Sequence, residues 1–89
     1  MRIDKYLKVT RILKRRETGK ELAKNQRILI NGKVAKPSSE IKVNDEIEVI
    51  FGRRHLMVKV LKIQNFSKKA DADMMYEVIK EYNEEQFSS

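Results

Sequence analysis

Cysteine and tryptophan are absent from this 89-residue chain, proline and histidine occur once each, and glycine occurs three times. Without cysteine there is no disulfide framework, no thiol nucleophile and no zinc knuckle, a usage that suits a reducing compartment. His55 alone cannot build a His-based metal site, and no cofactor-binding loop is present, so neither metal nor cofactor is expected. No apolar run approaches the roughly 18–20 residues of a membrane span. The opening Met1-Arg2-Ile3-Asp4-Lys5-Tyr6 has no apolar stretch behind its charge, so no secretory signal is read and the cytoplasm is the default. With 40% hydrophobic residues, one small core is the expectation, since chains this short bury only about 60–65% of their unfolded surface. A free-standing catalytic domain does not fit. Asp4 and Asp45 could be named as acids, yet no nucleophile stands near them in the sequence, and an enzyme is not expected.

What the chain has in excess is positive charge: 20 Lys+Arg against 13 Asp+Glu, a net of +7. The distribution is uneven. Residues 1–40 carry 12 basic and 4 acidic side chains, residues 41–69 carry 7 and 3, and residues 70–89 carry 1 and 6. Positive potential therefore gathers at the N-terminal end, while the C-terminal end would repel polyanions. The dull alternative is an ordinary lysine-rich solvated surface; a nucleic acid held by the N-terminal half is the preferred reading.

Hydrophobic spacing predicts the elements. Ile3, Tyr6, Leu7, Thr10 and Leu13 recur at three and four, one face of a helix running to about Leu13, with Asp4 suited to the positive end of its dipole. A second helix is expected over Glu17 to Asn25, capped by Thr18 or a residue just before it, weakened by Gly19 and ended by a left-handed Asn25. Then the period changes. Ile28-Leu29-Ile30 reads as a strand, and Asn31-Gly32 as a type I′ turn that returns Lys33-Val34 as its hairpin partner. Asn44-Asp45 marks another turn. Ile47, Val49 and Phe51 alternate with Glu46, Glu48 and Ile50, and a further strand runs from Leu56 to Ile63 after a Gly52-Arg53-Arg54 turn. Arg53-Arg54-His55 is read as solvated loop in preference to a second contact. From Ala70 onward Met74, Met75, Val78, Ile79 and Tyr82 suggest an amphipathic C-terminal helix packed on the sheet, before a fraying tail, Glu85–Ser89. The fold class is α+β: two N-terminal helices, a small antiparallel sheet of one hairpin plus two longer strands, and a C-terminal helix.

Arginine grips phosphate with a planar fork and lysine as a point charge. If the two helices pack at an angle, Lys5, Lys8, Arg11, Lys14, Arg15, Arg16, Lys20 and Arg27 converge on one basic patch suited to the backbone and shape of folded RNA. Asp4 either orients an arginine of that patch or serves the helix dipole. Tyr6 is read as a core-edge residue rather than a stacking platform.

Two helices and an Asn-Gly hairpin crowded by cations resemble the alpha-L RNA-binding motif, the S4-type domain. The likeness rests on Arg2-Ile3-Asp4-Lys5-Tyr6-Leu7, Lys14-Arg15-Arg16, Arg27-Ile28-Leu29-Ile30-Asn31-Gly32 and Asn44-Asp45-Glu46-Ile47. It spans about residues 1–62; residues 63–89 form the acidic C-terminal helix and tail of the same unit. Length and element order are similar to the small stand-alone bacterial branch, the RqcP type, which serves ribosome-associated quality control. A related fifteen-kilodalton heat-shock type is longer, with a basic extension. Gly19, Gln26 and Asn44 depart from the family pattern, and Asn25 and Asn44 are expected to assume its positive-φ positions.

The resemblance implies a non-catalytic RNA-binding factor of the large ribosomal subunit that contacts rRNA and peptidyl-tRNA and steadies the tRNA during template-free tailing of stalled chains. A separate factor of the NEMF/RqcH type would recruit charged tRNA. It adds Arg2 and Asp4, with Arg11 and Arg16, to the side chains that face rRNA or tRNA. Two alternatives stand beside it: a heat-shock-type recycling factor on free large subunits carrying nascent chain, and a protein-interaction module using the Met-rich C-terminal helix. DNA binding is disfavoured, because neither a helix-turn-helix signature nor a dimer seam appears, and a monomer is expected.

Overall fold

The computed structural model describes residues 1–65 and 68–84. Helix α1, Ile3–Val9, buries Ile3, Tyr6 and Leu7 on one side, each contributing roughly 1.5–3 kcal/mol of apolar burial. It stops well short of Leu13. The Thr10 hydroxyl donates back to the Tyr6 carbonyl (2.8 Å), and Arg11 turns left-handed with φ +63°. The reversal still delivers Leu13 to the core, where its backbone N–H bonds the Leu7 carbonyl (3.0 Å).

Helix α2, Arg16–Lys24, begins one residue earlier than the spacing predicts, from an extended Arg15 that makes no side-chain cap. Thr18 therefore lies inside the first turn and caps nothing. At the other end Asn25 has φ −92°, so it is not the left-handed residue; Gln26 is, with φ +62°. The N–H of Gln26 bonds the Ala23 carbonyl and that of Arg27 the Leu22 carbonyl, the paired bonds of a Schellman motif.

Five strands follow: β1 (Ile28–Ile30), β2 (Lys33–Val34), β3 (Glu46–Phe51), β4 (Arg54–Val60) and, after a short α3 (Lys69–Ala72), β5 (Tyr76–Asn83). They form one antiparallel sheet in the order β2-β1-β3-β4-β5. Asn31 and Gly32 both have positive φ, as the primed hairpin turn requires. The Asn31 side chain also accepts the Glu46 N–H (2.9 Å) and donates to Asp45 (3.1 Å), so the turn locks onto the start of β3. Asn44, with φ +78°, takes the left-handed position assigned to it.

The inner face of the sheet presents Ile28, Ile47, Val49, Leu56, Val58 and Val60, which form one core with Ile3, Tyr6, Leu7 and Leu13. Tyr6 is fully buried, a core residue rather than a stacking platform. Its hydroxyl donates to the Met75 carbonyl (2.8 Å), and burial pushes its pKa well up.

Two sequence expectations fail here. The C-terminal segment is a strand, not a helix. Between Met57↔Lys80 and Val58↔Val78 the register slips by one residue, so Ile79 is a bulge. That bulge stretches the alternation of β5 into spacings of three that imitate a helical stripe. Met75 is buried while Met74 is 70% exposed, so no methionine groove of the expected helical kind exists. Arg54 and His55, read as loop, lie within β4, with the turn confined to Gly52-Arg53. The predicted fraying of 85–89 lies outside the described residues.

Candidate nucleic-acid interface

Asp4 is the organising residue. Its side chain is fully buried in the first turn of α1, a position a carboxylate holds only when its lone pairs are satisfied. Oδ2 accepts from Arg2 Nη2 at 3.1 Å; Oδ1 accepts from the Lys5 backbone N–H at 2.8 Å and stands 3.5 Å from Arg16 Nη2. The carboxylate thus both orients arginines and serves its own helix start, the two roles the sequence left open.

Helix packing sets this geometry. Gly19 faces α1, and a Cβ there would lie 3.4 Å from the Asp4 Cα. This close approach carries Arg16, one turn earlier on α2, over the Asp4 carboxylate. The side chains of Arg2 and Arg16 remain 44% and 40% exposed. Each guanidinium has five N–H donors in a fixed fork, so the bond to Asp4 leaves most of them for another anion. Arg16 Nε is buried with no hydrogen-bond partner among the described residues, so this guanidinium is held by Asp4 without being saturated.

Among the described residues, only Arg2 and Arg16 of the predicted contacts pair with Asp4 through their side chains. Lys5 is half-buried and its ammonium reaches Asn65 Oδ1 (3.4 Å). Lys8 is exposed on α1, Lys14 and Arg15 are exposed in the connector, and Lys20 is half-buried one turn beyond Arg16. Two arginines sit elsewhere. Arg11 lines a cleft of about 420 Å³ with Phe51, Arg54 and Tyr76. Arg27 accepts the Ile50 N–H on its carbonyl, and its charge, with that of Arg53, helps hold the Glu84 carboxyl low. Direct contact therefore joins Arg2, Asp4 and Arg16; Arg11 and Arg27 belong to the sheet side.

Sequence reasoning missed a second cluster on the outer face. His55 Nδ1 lies 3.1 Å from Glu48 and Nε2 2.7 Å from Glu84. Its ring stacks on Tyr82 at 4.6 Å, and Lys80 lies over the Tyr82 ring at 4.9 Å. The hydrogen bond to Glu84, aided by Glu48, raises the His55 pKa against the lowering effect of burial. Arg54 forms an ion pair with Glu81. Only β4–β5 pairing brings these groups together, and a helical reading of the C-terminal segment hides it. The acids of β5 are consequently matched by cations of β4 within the sheet, instead of forming a free repulsive end. Among the described residues no group of three His, Cys, Asp or Glu side chains is placed to hold a metal ion, and no helix is long and apolar enough to cross a membrane.

Comparison with known proteins gives the family and the fold. Residues 1–47 match the S4 domain family. Over 81 residues the chain is 54% identical to the RQC P-site tRNA stabilizing factor of Streptococcus pneumoniae, covering 91% of this chain and 92% of that one. It is 47% identical to the protein of the same name from Bacillus subtilis, covering 91% and 94%. The trimeric structure of Vibrio cholerae heat shock protein 15 shares the fold, with a TM-score of 0.81 at 24% identity over 88% of this chain and 80% of that one.

Proposed function

The chain belongs to the S4 domain family, among the RQC P-site tRNA stabilizing factors, and on that premise we propose that it steadies P-site tRNA on the large ribosomal subunit during template-free tailing of stalled nascent chains. It does so by touching rRNA and tRNA together. No bond is made or broken by this chain; its work is electrostatic and positional, in the cytoplasm, beside a separate tRNA-recruiting factor of the NEMF/RqcH type. Two RNA backbones repel, and a small cationic wedge between them lowers that cost.

The observation that carries the reading is the pair of half-exposed arginines, Arg2 and Arg16, clipped to one buried carboxylate. Long basic side chains lose conformational entropy when they grip a phosphate. Asp4 restricts both before RNA arrives, so less is lost on binding. Lys8, Lys14, Arg15 and Lys20 supplement this pair as point charges or single forks around it.

Co-sedimentation with large subunits tests the proposal. Arg16→Ala is expected to abolish ribosome association, and Arg16→Lys to restore it only partly, because lysine keeps the charge but not the fork. Asp4 keeps Arg2 and the Lys5 N–H, so the fold should lose no more than about 1 kcal/mol. An Arg16→Ala protein that still pellets fully with ribosomes would remove the arginine pair from the mechanism.

A further inference from the structure

The Asp4-centred pair leaves a concavity unused. It lies on the inner face of the sheet, beyond the reach of the helices, where the connector after α1 crosses above β3, β4 and β5. Ile12, Phe51, Tyr76 and Val78 supply apolar wall, and Arg11 and Arg54 supply guanidinium groups, around a volume of about 420 Å³. We propose that this cleft holds one unstacked nucleobase of the bound RNA, a contact additional to phosphate binding and resting on the proposed function.

Three features favour a base. The volume lies in the range of small-molecule sites. Splayed bases are recognised by stacking on aromatic rings and on arginine planes, and both kinds of surface line this cleft. Arg54 is paired with Glu81, so its guanidinium is oriented in advance, and the same carboxylate offers an acceptor for an exocyclic amino group. Charge distinguishes this occupant from an apolar peptide side chain. Arg11 stands in the cleft wall three residues before Lys14, Arg15 and Arg16 in the chain, and a phosphate beside an inserted base would meet cations that a neutral peptide would not use.

The full chain is titrated by fluorescence anisotropy with two RNA hairpins sharing one stem, one uninterrupted and one carrying a single bulged adenosine. The bulged hairpin should bind about five- to tenfold more tightly, the scale of one base–aromatic stack. Val78 is half-exposed on β5, so Val78→Trp can fill the cleft from its rim, and it should erase that preference. Phe51→Leu, which keeps an apolar side chain but removes a ring, should reduce the preference if Val78→Trp fails to fold. Equal affinity of the wild-type chain for both hairpins would overturn the base site and leave the arginine pair standing. A preference that survives Val78→Trp would also overturn it, by placing the base elsewhere. Loss of ribosome association in Val78→Trp without any bulge preference in the wild type would assign the cleft to a protein side chain and end the proposal. Failure of both hairpins to bind would overturn it together with the proposed function.

Discussion

Gln26 holds a φ of +62° in the Schellman turn that ends α2, a backbone state that costs a residue bearing a Cβ about 1 kcal/mol or more. Gly19, by contrast, sits inside α2 with nothing left-handed about it, where glycine costs about 1 kcal/mol relative to alanine. The chain thus spends flexibility where the helix has no need of it and omits it where the turn would use it. Two substitutions follow from this inversion. Gln26→Gly should raise stability by about 0.5–1 kcal/mol, and Gly19→Ala by a similar amount, read as shifts of the urea midpoint at constant slope. The Gly19→Ala gain depends on the new methyl lying at ordinary contact distance, 3.4–3.5 Å, from Asp4 and the Leu13 side chain. A loss of stability instead would mean that α1 and α2 cannot yield even slightly at the point where Arg16 meets Asp4.

At the scale of elements, side chains add to the backbone ladder that attaches β5 to β4. His55 of β4 stands between Glu48 of β3 and Glu84 just beyond β5, against the ring of Tyr82. Only the doubly protonated imidazole donates to both carboxylates. Its pKa is raised in the fold above the ordinary 6.5, so its contribution is complete below the unfolded value and is lost as pH rises through the folded one. Glu84, lowered from 4.5 by His55 and by the charges of Arg27 and Arg53, contributes above its unfolded value and loses that contribution as pH falls through the folded one. The clamp is strongest between these limits. Thermal melting followed by circular dichroism should therefore show a midpoint that falls as pH rises from the ordinary histidine value of 6.5 through the raised one. The fall should shrink in Glu84→Gln and vanish in His55→Gln; an unchanged slope in both would exclude this clamp as its source.

Over the whole molecule, tertiary pairing redistributes charge. The acidic C-terminal stretch looks in sequence like a surface that wards off RNA, yet Glu81 is taken by Arg54, Glu84 by His55, and Glu77 stands opposite Lys59. Among the described residues, Asp4 is the one buried counter-charge to the cations of α1 and α2. The proposed phosphate-binding cations belong to the helical side of a body only 41 × 25 × 22 Å. If about five or six phosphates are neutralised there, log K for a duplex RNA should fall against log salt with a slope of about −5, and Arg16→Ala should reduce that slope by about one. A slope near zero for the wild-type protein would dismiss polyphosphate binding altogether.

Local rules sufficed for much of this structure. The three-and-four spacing of Ile3, Tyr6 and Leu7, the Asn31-Gly32 turn and the alternation of Ile47, Val49 and Phe51 are each written within a few residues, and those elements start where the spacing puts them, although α1 ends at Val9 instead of near Leu13. The cationic bias of the first half needs only counting. Whatever depends on distant partners was decided by the tertiary structure. The bulge at Ile79 made β5 look helical, and only the edge of β4, with its unpaired backbone groups, selects the strand. The left-handed turns at Arg11 and Gln26 are imposed by packing that rewards the reversal more than it costs those residues. Asp4 becomes the anchor of Arg2 and Arg16 only because α1 and α2 pack closely over it, a contact between separate elements that neighbouring residues alone do not encode.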